Sequence, residues 1–134
     1  MILCDCENCA CVRQGMSLAE VGDVLKAHNC HVTVVYASDC SVEKFRLDTV
    51  EALSDADSNS AIIVNYHMHT LGQSPLFGHH SPLAAYHVNT DRFLLLDVWP
   101  DTSECWPTAS SLFASMNTVD DVTGRTRGYC IAKF

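Results

Sequence analysis

The sequence predicts a domain of the α+β class, in which helices flank a mostly antiparallel sheet. Two helical patterns, each opened by a serine, come first in the chain. Apolar and β-branched runs bounded by turn residues dominate from residue 61 onward. Helices that precede a run of strands, rather than alternate with them, are typical of this class. The 134 residues are enough for one domain, or part of one, with a real core.

Both early helices carry start signals. Ser17 with Glu20 forms a capping box, and Asn29 ends the pattern that follows it. Ser41 is the expected cap of the second helix. Apolar residues recur at helical spacing after each cap, at Leu18, Val21, Val24 and Leu25, and at Val42, Phe45, Val50 and Leu53.

The remaining elements are predicted in order along the chain. A strand over His31 to Tyr36 separates the two helices, and a polar connector, Asp55 to Ser60, follows the second helix. After it the sequence predicts a buried strand, a glycine-containing loop, a hairpin turning at Asn89-Thr90-Asp91, a capped helix and a final strand. Their predicted bounds are Ala61–Tyr66, Leu71–Gly78, Leu83–Val88 with Arg92–Val98, Thr108–Met116 and Gly128–Phe134.

Charge and composition exclude several classes of protein. The formal net charge is −8, and the eight lysines and arginines form no basic stripe, so a nucleic-acid partner is not expected. No apolar run approaches the roughly 18 residues that span a bilayer, and the chain does not open like a signal peptide. We therefore expect a cytoplasmic protein without a membrane partner. Its eight cysteines then indicate thiols or metal ligands, although their even number leaves disulfides open.

Four of those cysteines lie within eight residues at the start of the chain: Cys4, Cys6, Cys9 and Cys11. Thiolates at this spacing can converge on a soft cation such as zinc or cadmium. A loop of unligated thiols is the alternative.

Asp97 closes the apolar run Phe93 to Leu96. A carboxylate there is costly to bury without a partner, and a histidine on a neighbouring strand would supply one. Such a pair orients an imidazole and selects its tautomer, as a nucleophile's base requires. A merely structural hydrogen bond is the alternative.

A set of segments recurs in one order along most of the chain: residues 14–18, 36–39, 65–66, 71–73, 79–86, 90–98, 116–120 and 126–128. In these segments the chain resembles the phytochelatin synthases, a family of the papain-like superfamily, and above all their bacterial branch. The resemblance implies the mostly antiparallel half of a papain-like cysteine-protease fold.

The resemblance also implies a reaction on glutathione. A cysteine thiolate attacks the carbonyl carbon of the Cys–Gly bond, glycine leaves, and the acyl group passes to a second glutathione or to water. Residue by residue, His79 matches the general base and Asp97 its orienting carboxylate. The positions that line the γ-glutamylcysteine site are matched by Asn65, Gly78 and Arg127.

The partners that the resemblance implies are glutathione and its metal thiolates. It implies no organic cofactor, and it implies a heavy-metal ion, cadmium or zinc, as activator. Cysteines such as Cys4 to Cys11 occur in the corresponding region of the family. A homodimer is one assembly that the resemblance allows.

The chain departs from the family in three places. The helix that carries the family's nucleophilic cysteine has no counterpart in this sequence, so this chain alone is expected to be inactive. Met68 stands where the family has an arginine, and Trp99 to Glu104 replaces a basic run. These losses of positive charge favour cleavage of the first glutathione over transfer to a second.

The hairpin poses a further problem. Centred on Thr90, it would put Asp97 opposite about residue 83, too far from His79 for a hydrogen bond. A bulge or another register is needed to bring the pair together. Because adjacent residues of a strand point to opposite faces, only one of His79 and His80 can meet Asp97.

Two other classes of function stay open. His67 and His69 would lie on one face of a strand and could ligate zinc or copper, which predicts a metal-binding module or metal hydrolase. The second class is a non-catalytic paralogue, which keeps the fold but does not catalyse the reaction.

Overall fold

The computed structural model describes residues 15–55, 59–98 and 104–134. The predicted metal ligands Cys4, Cys6, Cys9 and Cys11 lie outside the described residues, as does most of the segment from Trp99 to Glu104. The elements follow in the order α1 (Leu18–Ala27), β1 (His31–Tyr36), α2 (Val42–Ser54), β2 (Ser60–His67), β3 (Gly78–His87), β4 (Arg92–Leu95), α3 (Ala109–Met116) and β5 (Gly128–Lys133). Short 3₁₀ turns follow β1 and β2, at Ala37–Asp39 and His69–Leu71.

The helix starts are as predicted. Ser17 and Glu20 form the reciprocal capping box of α1, and the Ser41 and Thr108 side chains accept backbone N–H bonds at the starts of α2 and α3. Asn29 has a φ of 63°, the left-handed conformation that ends α1.

The described strands form one antiparallel sheet in the order β1-β5-β2-β3-β4. The predicted α+β class with an antiparallel sheet is therefore confirmed. The expectation that the helices come before the sheet is only approximate, because β1 lies between α1 and α2 and the last strand, β5, pairs inside the sheet between β1 and β2.

The two faces of the sheet are covered differently. One face carries the larger core, where Phe45 of α2 and Leu112 of α3 pack on Val64, Phe93 and Tyr129. The other face carries a smaller cluster around Leu18 and Val21 of α1 and Cys130 of β5. Among the described residues, no helix is both long and apolar enough to cross a bilayer.

The hairpin differs from its predicted bounds. β3 starts at Gly78 rather than Leu83, and β4 ends at Leu95, so Asp97 lies just past a strand end. The pairing runs from His87–Arg92 to Ala85–Leu94 and then shifts by one residue, resuming at Leu83–Leu95. This β-bulge is the irregularity that the sequence argument required.

Candidate active site

The bulge at Ala84 decides which face of the sheet Asp97 occupies. Leu96 N donates to Pro82 O at 3.0 Å, which puts Asp97 level with Ser81. Without the extra residue, Asp97 would be level with Pro82 and would point to the opposite face, toward His80. With it, Asp97 is a diagonal neighbour of His79 on the larger-core side.

His79 and Asp97 meet as a hydrogen-bonded pair. His79 Nε2 lies 3.0 Å from Asp97 Oδ1, and the Asp97 side chain is fully buried. An ionised carboxylate accepts but does not donate, so the imidazole carries a proton on Nε2 when Asp97 is charged. Proton exchange with a reacting group would then use Nδ1.

A second side chain binds the same carboxylate. Gln73 Nε2 donates to Asp97 Oδ2 at 2.6 Å. The sequence assigned no role to Gln73, although it stands beside Gly72 in one of the segments of resemblance. The only feature of the sequence that could have pointed to Gln73 as a site residue is its position directly after a glycine in a loop.

Buried polar and aromatic groups pack beneath the pair. The Tyr66 ring meets the His79 imidazole edge-on, with centroids 6.0 Å apart. Its hydroxyl lies 3.4 Å from Ser81 Oγ. Burial, opposed in part by hydrogen bonds from Ser81 and Gln73, raises the pKa of Tyr66 to about 12, so this hydroxyl stays neutral.

A cavity of about 790 Å³ is lined by His79 and His80 and by the three residues matched to the substrate site, Asn65, Gly78 and Arg127. Asn65 pairs with Gly128 on one side and His80 on the other, which fixes its backbone in the sheet. Asn65 and Arg127 are both buried, at 3% and 7% exposure. The structure therefore brings these residues to one cavity wall.

Arg127 has only neutral partners among the described residues. Its Nη1 donates to Thr118 Oγ1 at 3.1 Å and to Val119 O at 2.6 Å. No described carboxylate lies within 4 Å of its guanidinium. A buried cation is costly without a counter-ion, so the cavity suits an anionic group at Arg127.

Glycine at position 78 is required for this placement of Arg127. A Cβ atom at Gly78 would lie 2.6 Å from Arg127 Nε and 3.0 Å from Nη2. The guanidinium thus packs against the α carbon of Gly78, one residue before His79. This contact places the cation next to the histidine–aspartate pair.

His80 belongs to the other side of the sheet from the pair. It lies opposite Asn65, whereas His79 lies opposite Tyr66. Burial, reinforced by the nearby His79 and Arg127, lowers the pKa of His80 to about 4, so His80 is neutral at pH 7. Its Nε2 is buried without a partner among the described residues.

The described cysteines do not resemble activated nucleophiles. Burial raises the pKa of the Cys40 and Cys105 thiols, and raises that of Cys130 to about 11. The charge of Asp97 adds to the effect at Cys105. A nucleophilic cysteine needs the opposite shift, toward the thiolate at neutral pH. The fourth, Cys30, is buried directly before β1.

The prediction that His67 and His69 share one face of a strand is wrong. β2 ends at His67, and His69 opens the 3₁₀ turn that follows. The rings are 6.5 Å apart, and His67 Nδ1 lies 2.7 Å from Thr70 Oγ1. Nowhere in residues 15–55, 59–98 and 104–134 do three or more His, Cys, Asp or Glu side chains form a group that could hold a metal.

Comparison with known proteins identifies the same family that the sequence segments resemble, through a family model and through individual relatives. A model of the phytochelatin synthase family matches residues 1–129. Glutathione gamma-glutamylcysteinyltransferase 3 of Lotus japonicus is 33% identical over 122 residues, which are 88% of this chain and 24% of that protein. Glutathione gamma-glutamylcysteinyltransferase 2 of Arabidopsis thaliana is 28% identical over 131 residues, 94% of this chain and 28% of the relative.

A more distant relative is the glutathione gamma-glutamylcysteinyltransferase of Schizosaccharomyces pombe, 24% identical over 120 residues. The chain spans about a quarter of the length of these relatives. The family match nevertheless covers nearly all of this chain. The chain thus belongs to the phytochelatin synthase family.

Proposed function

We propose that this chain forms the histidine–aspartate half of a papain-like active site that cleaves the Cys–Gly bond of glutathione. His79 is the general base, Asp97 orients it, and Asn65, Gly78 and Arg127 line the site for the γ-glutamylcysteinyl group. Glutathione is proposed as the substrate because the relatives are named as glutathione gamma-glutamylcysteinyltransferases.

The observation that carries the proposal is the 3.0 Å contact between His79 Nε2 and Asp97 Oδ1 at the border of the Arg127 cavity. With Nε2 directed at Asp97, Nδ1 takes the proton of a cysteine thiol. The thiolate attacks the carbonyl carbon, the C–N bond breaks, and the protonated imidazole returns its proton to the departing glycine amine. Water, activated by the same base, then releases γ-glutamylcysteine.

The charges of the cavity suit a γ-glutamyl group. Arg127 offers a buried cation to the α-carboxylate as a two-pronged donor. Glu20, Asp120 and Asp121 line the same cavity and offer negative charge to the α-ammonium. A group with a carboxylate and an ammonium on one carbon satisfies both.

The nucleophile is proposed to come from outside the described residues. Cys40, Cys105 and Cys130 have thiol pKa values shifted away from the thiolate, as shown above. A cysteine near a helix start or beside a cation would have its pKa lowered instead.

Hydrolysis of the acyl-enzyme is better supported than transfer of the acyl group to a second glutathione. Met68, at the position of a family arginine, is fully buried in the larger core, and its N–H donates to Phe77 O at 3.0 Å. It therefore adds no positive charge to a site for a second glutathione. We propose release of glycine with water as the acyl acceptor as the main reaction.

A role for cadmium or zinc is proposed on the sequence alone. The four thiols Cys4, Cys6, Cys9 and Cys11 would bind such an ion as thiolates, with release of protons. The ion would otherwise enter as part of a metal–glutathione thiolate substrate. A fourfold Cys→Ser variant with unchanged metal stoichiometry would exclude the cluster.

The experiment that tests the function joins this chain behind the cysteine-bearing half of a phytochelatin synthase and measures glycine release from glutathione. His79→Ala should lower the rate roughly 10²–10⁴-fold, the usual contribution of a general base. Asp97→Asn should also impair it strongly, because the amide selects the wrong tautomer.

His80→Phe is the matched control. It removes the adjacent imidazole, which lies on the opposite face of β3 from Asp97. Because His80 also lines the cavity, the quantity that should be largely retained is kcat rather than KM. Activity retained by His79→Ala but lost in His80→Phe would contradict the assignment. Full activity in both variants would contradict the acyl-transfer function of this hairpin.

A further inference from the structure

The loop between β2 and β3 holds one side chain against the buried Asp97 carboxylate. Gln73 Nε2 donates to Asp97 Oδ2 at 2.6 Å, while His79 Nε2 meets Oδ1 at 3.0 Å. The amide and the imidazole thus each contact a different oxygen of the carboxylate. A fully buried carboxylate needs such donors, because burial of its charge is otherwise costly.

The backbone of the loop explains why Gln73 reaches Asp97. Met68 is anchored by its N–H bond to Phe77 O, and Met68 O in turn accepts the N–H groups of Leu71 and Gln73. Gly72, between them, has a φ of 91°, which favours glycine. The chain reverses there, and the next side chain points back toward the sheet.

We propose that Gln73 is a positioning residue that acts through Asp97. Its amide holds the carboxylate with Oδ1 toward His79, and so keeps the neutral imidazole in the tautomer with its proton on Nε2. The inference rests on the proposed function, since this tautomer matters when Nδ1 must accept a proton. Gln73 itself contacts neither the thiol nor glutathione in this scheme.

The geometry explains what a donor at Oδ2 adds. A carboxylate that loses this donor is freer to rotate about its Cβ–Cγ bond and to present another oxygen to the imidazole. Gln73 at Oδ2 and His79 at Oδ1 together define the observed orientation. Partners of this kind, one step removed from the reacting groups, typically contribute about 10–100-fold at metal sites, and we expect a comparable effect on rate here.

The test measures the tautomer of His79 directly in the ¹⁵N-labelled 134-residue chain, by long-range ¹⁵N–¹H correlation at a pH where imidazole is neutral. His79→Ala assigns the signals. Gln73→Met keeps the side-chain length, Gln73→Leu keeps most of the side-chain volume, and both remove the donor. Ser74→Ala, an exposed neighbour in the same loop, is the matched control.

Wild type and Ser74→Ala should show the proton mainly on Nε2 of His79. Both Gln73 variants should lose a large part of that population to the Nδ1–H form. In the active fusion they should lower kcat about 10-fold or more with KM nearly unchanged. Wild-type tautomer populations in a folded Gln73→Met or Gln73→Leu variant would overturn the proposal.

Two features of the design separate it from the proposed function and from misfolding. The tautomer measurement needs no glutathione, so an inactive wild-type fusion would contradict the proposed function alone. Amide spectra outside the loop report folding. Because Gln73→Leu differs in shape from Gln73→Met and also lacks a donor, it still decides the question if Gln73→Met does not fold.

Discussion

At the residue scale, the contact between Gly78 and Arg127 couples the strand that carries His79 to the buried cation. Gly78 has no Cβ, and the Arg127 side chain occupies the space where one would be. Arg127 is further held by Thr118 Oγ1 and Val119 O, so it has little freedom to retreat. The placement of the cation therefore depends on a single missing methyl group.

Gly78→Ala is expected to weaken binding of γ-glutamyl ligands by this chain without unfolding it. A Cβ 2.6 Å from Arg127 Nε must displace the guanidinium. The loss of one charge-assisted contact is worth about 1.5–3 kcal/mol, roughly a 10–100-fold rise in Kd. Titration with γ-glutamylcysteine, followed by calorimetry or NMR, measures it.

Ala84→Ser is the control for that prediction, because it adds one atom to the same strand at an exposed position. Equal affinities for the two variants would show that Arg127 does not hold the ligand or that its side chain adapts at no cost.

At the element scale, Asp91 joins two helices to the hairpin. Its carboxylate accepts two bonds from Arg46 of α2, at 2.7 and 2.8 Å, and one from the Tyr86 hydroxyl of β3 at 2.7 Å. Its carbonyl accepts the N–H of Ala109, the first residue of α3. With a φ of 52°, Asp91 also forms the turn between β3 and β4.

Asp91→Asn is expected to lower the free energy of unfolding at pH 7 by about 1 kcal/mol. The estimate stays near that of a surface ion pair, because the Arg46 and Asp91 side chains are 30% and 37% exposed. Asparagine tolerates the positive φ, so the change reports mainly the lost charge. Urea denaturation measures it, with Asp23→Asn at the exposed Lys26 pair as the control of near-zero effect.

The cost of Asp91→Asn should depend on pH. Arg46, and to a lesser degree Tyr86, lower the pKa of Asp91 in the folded state. Its stabilisation is thus present above the unfolded value near 4 and is lost as pH falls through the lower folded value. A difference between variant and wild type that persists unchanged at pH 2.5 would contradict this account.

At the scale of the whole molecule, the sheet and its helices bring together the proposed base His79, its carboxylate partner Asp97 and the buried Arg127. The described thiols, in contrast, have either raised pKa values or a buried place away from His79. The fold therefore carries the residues proposed as the base half of the reaction, without a recognisable nucleophile in its described part.

The 134-residue chain by itself is expected to release no detectable glycine from glutathione, with or without cadmium. An assay of purified chain, with the active fusion as positive control, measures it. Robust release by the isolated chain would force one of the eight cysteines into the role of nucleophile. Single Cys→Ser variants would then identify it.

Local signals in the sequence were enough for most of the elements. The caps at Ser17, Ser41 and Thr108 act within three residues of themselves, so the helix starts follow from the sequence. The family also follows from the sequence, because its segments recur in one order over most of the chain. Local periodicity gave a wrong prediction at His67 and His69. There β2 ends and a 3₁₀ turn begins, and no neighbouring residue in the sequence indicates that change.

The geometry of the site was decided by tertiary structure. A one-residue bulge at Ala84 turns Asp97 toward His79 and away from His80, and side-chain alternation makes such a shift invisible to local patterns. Gln73 reaches Asp97 across 24 residues of chain, and Arg127 packs on Gly78 across the sheet. By itself the sequence determined the family, the class of fold and the candidate residues. The packing of distant segments decided which of those residues meet, because hydrogen bonds and steric contacts depend on ångström-scale register that no local pattern encodes.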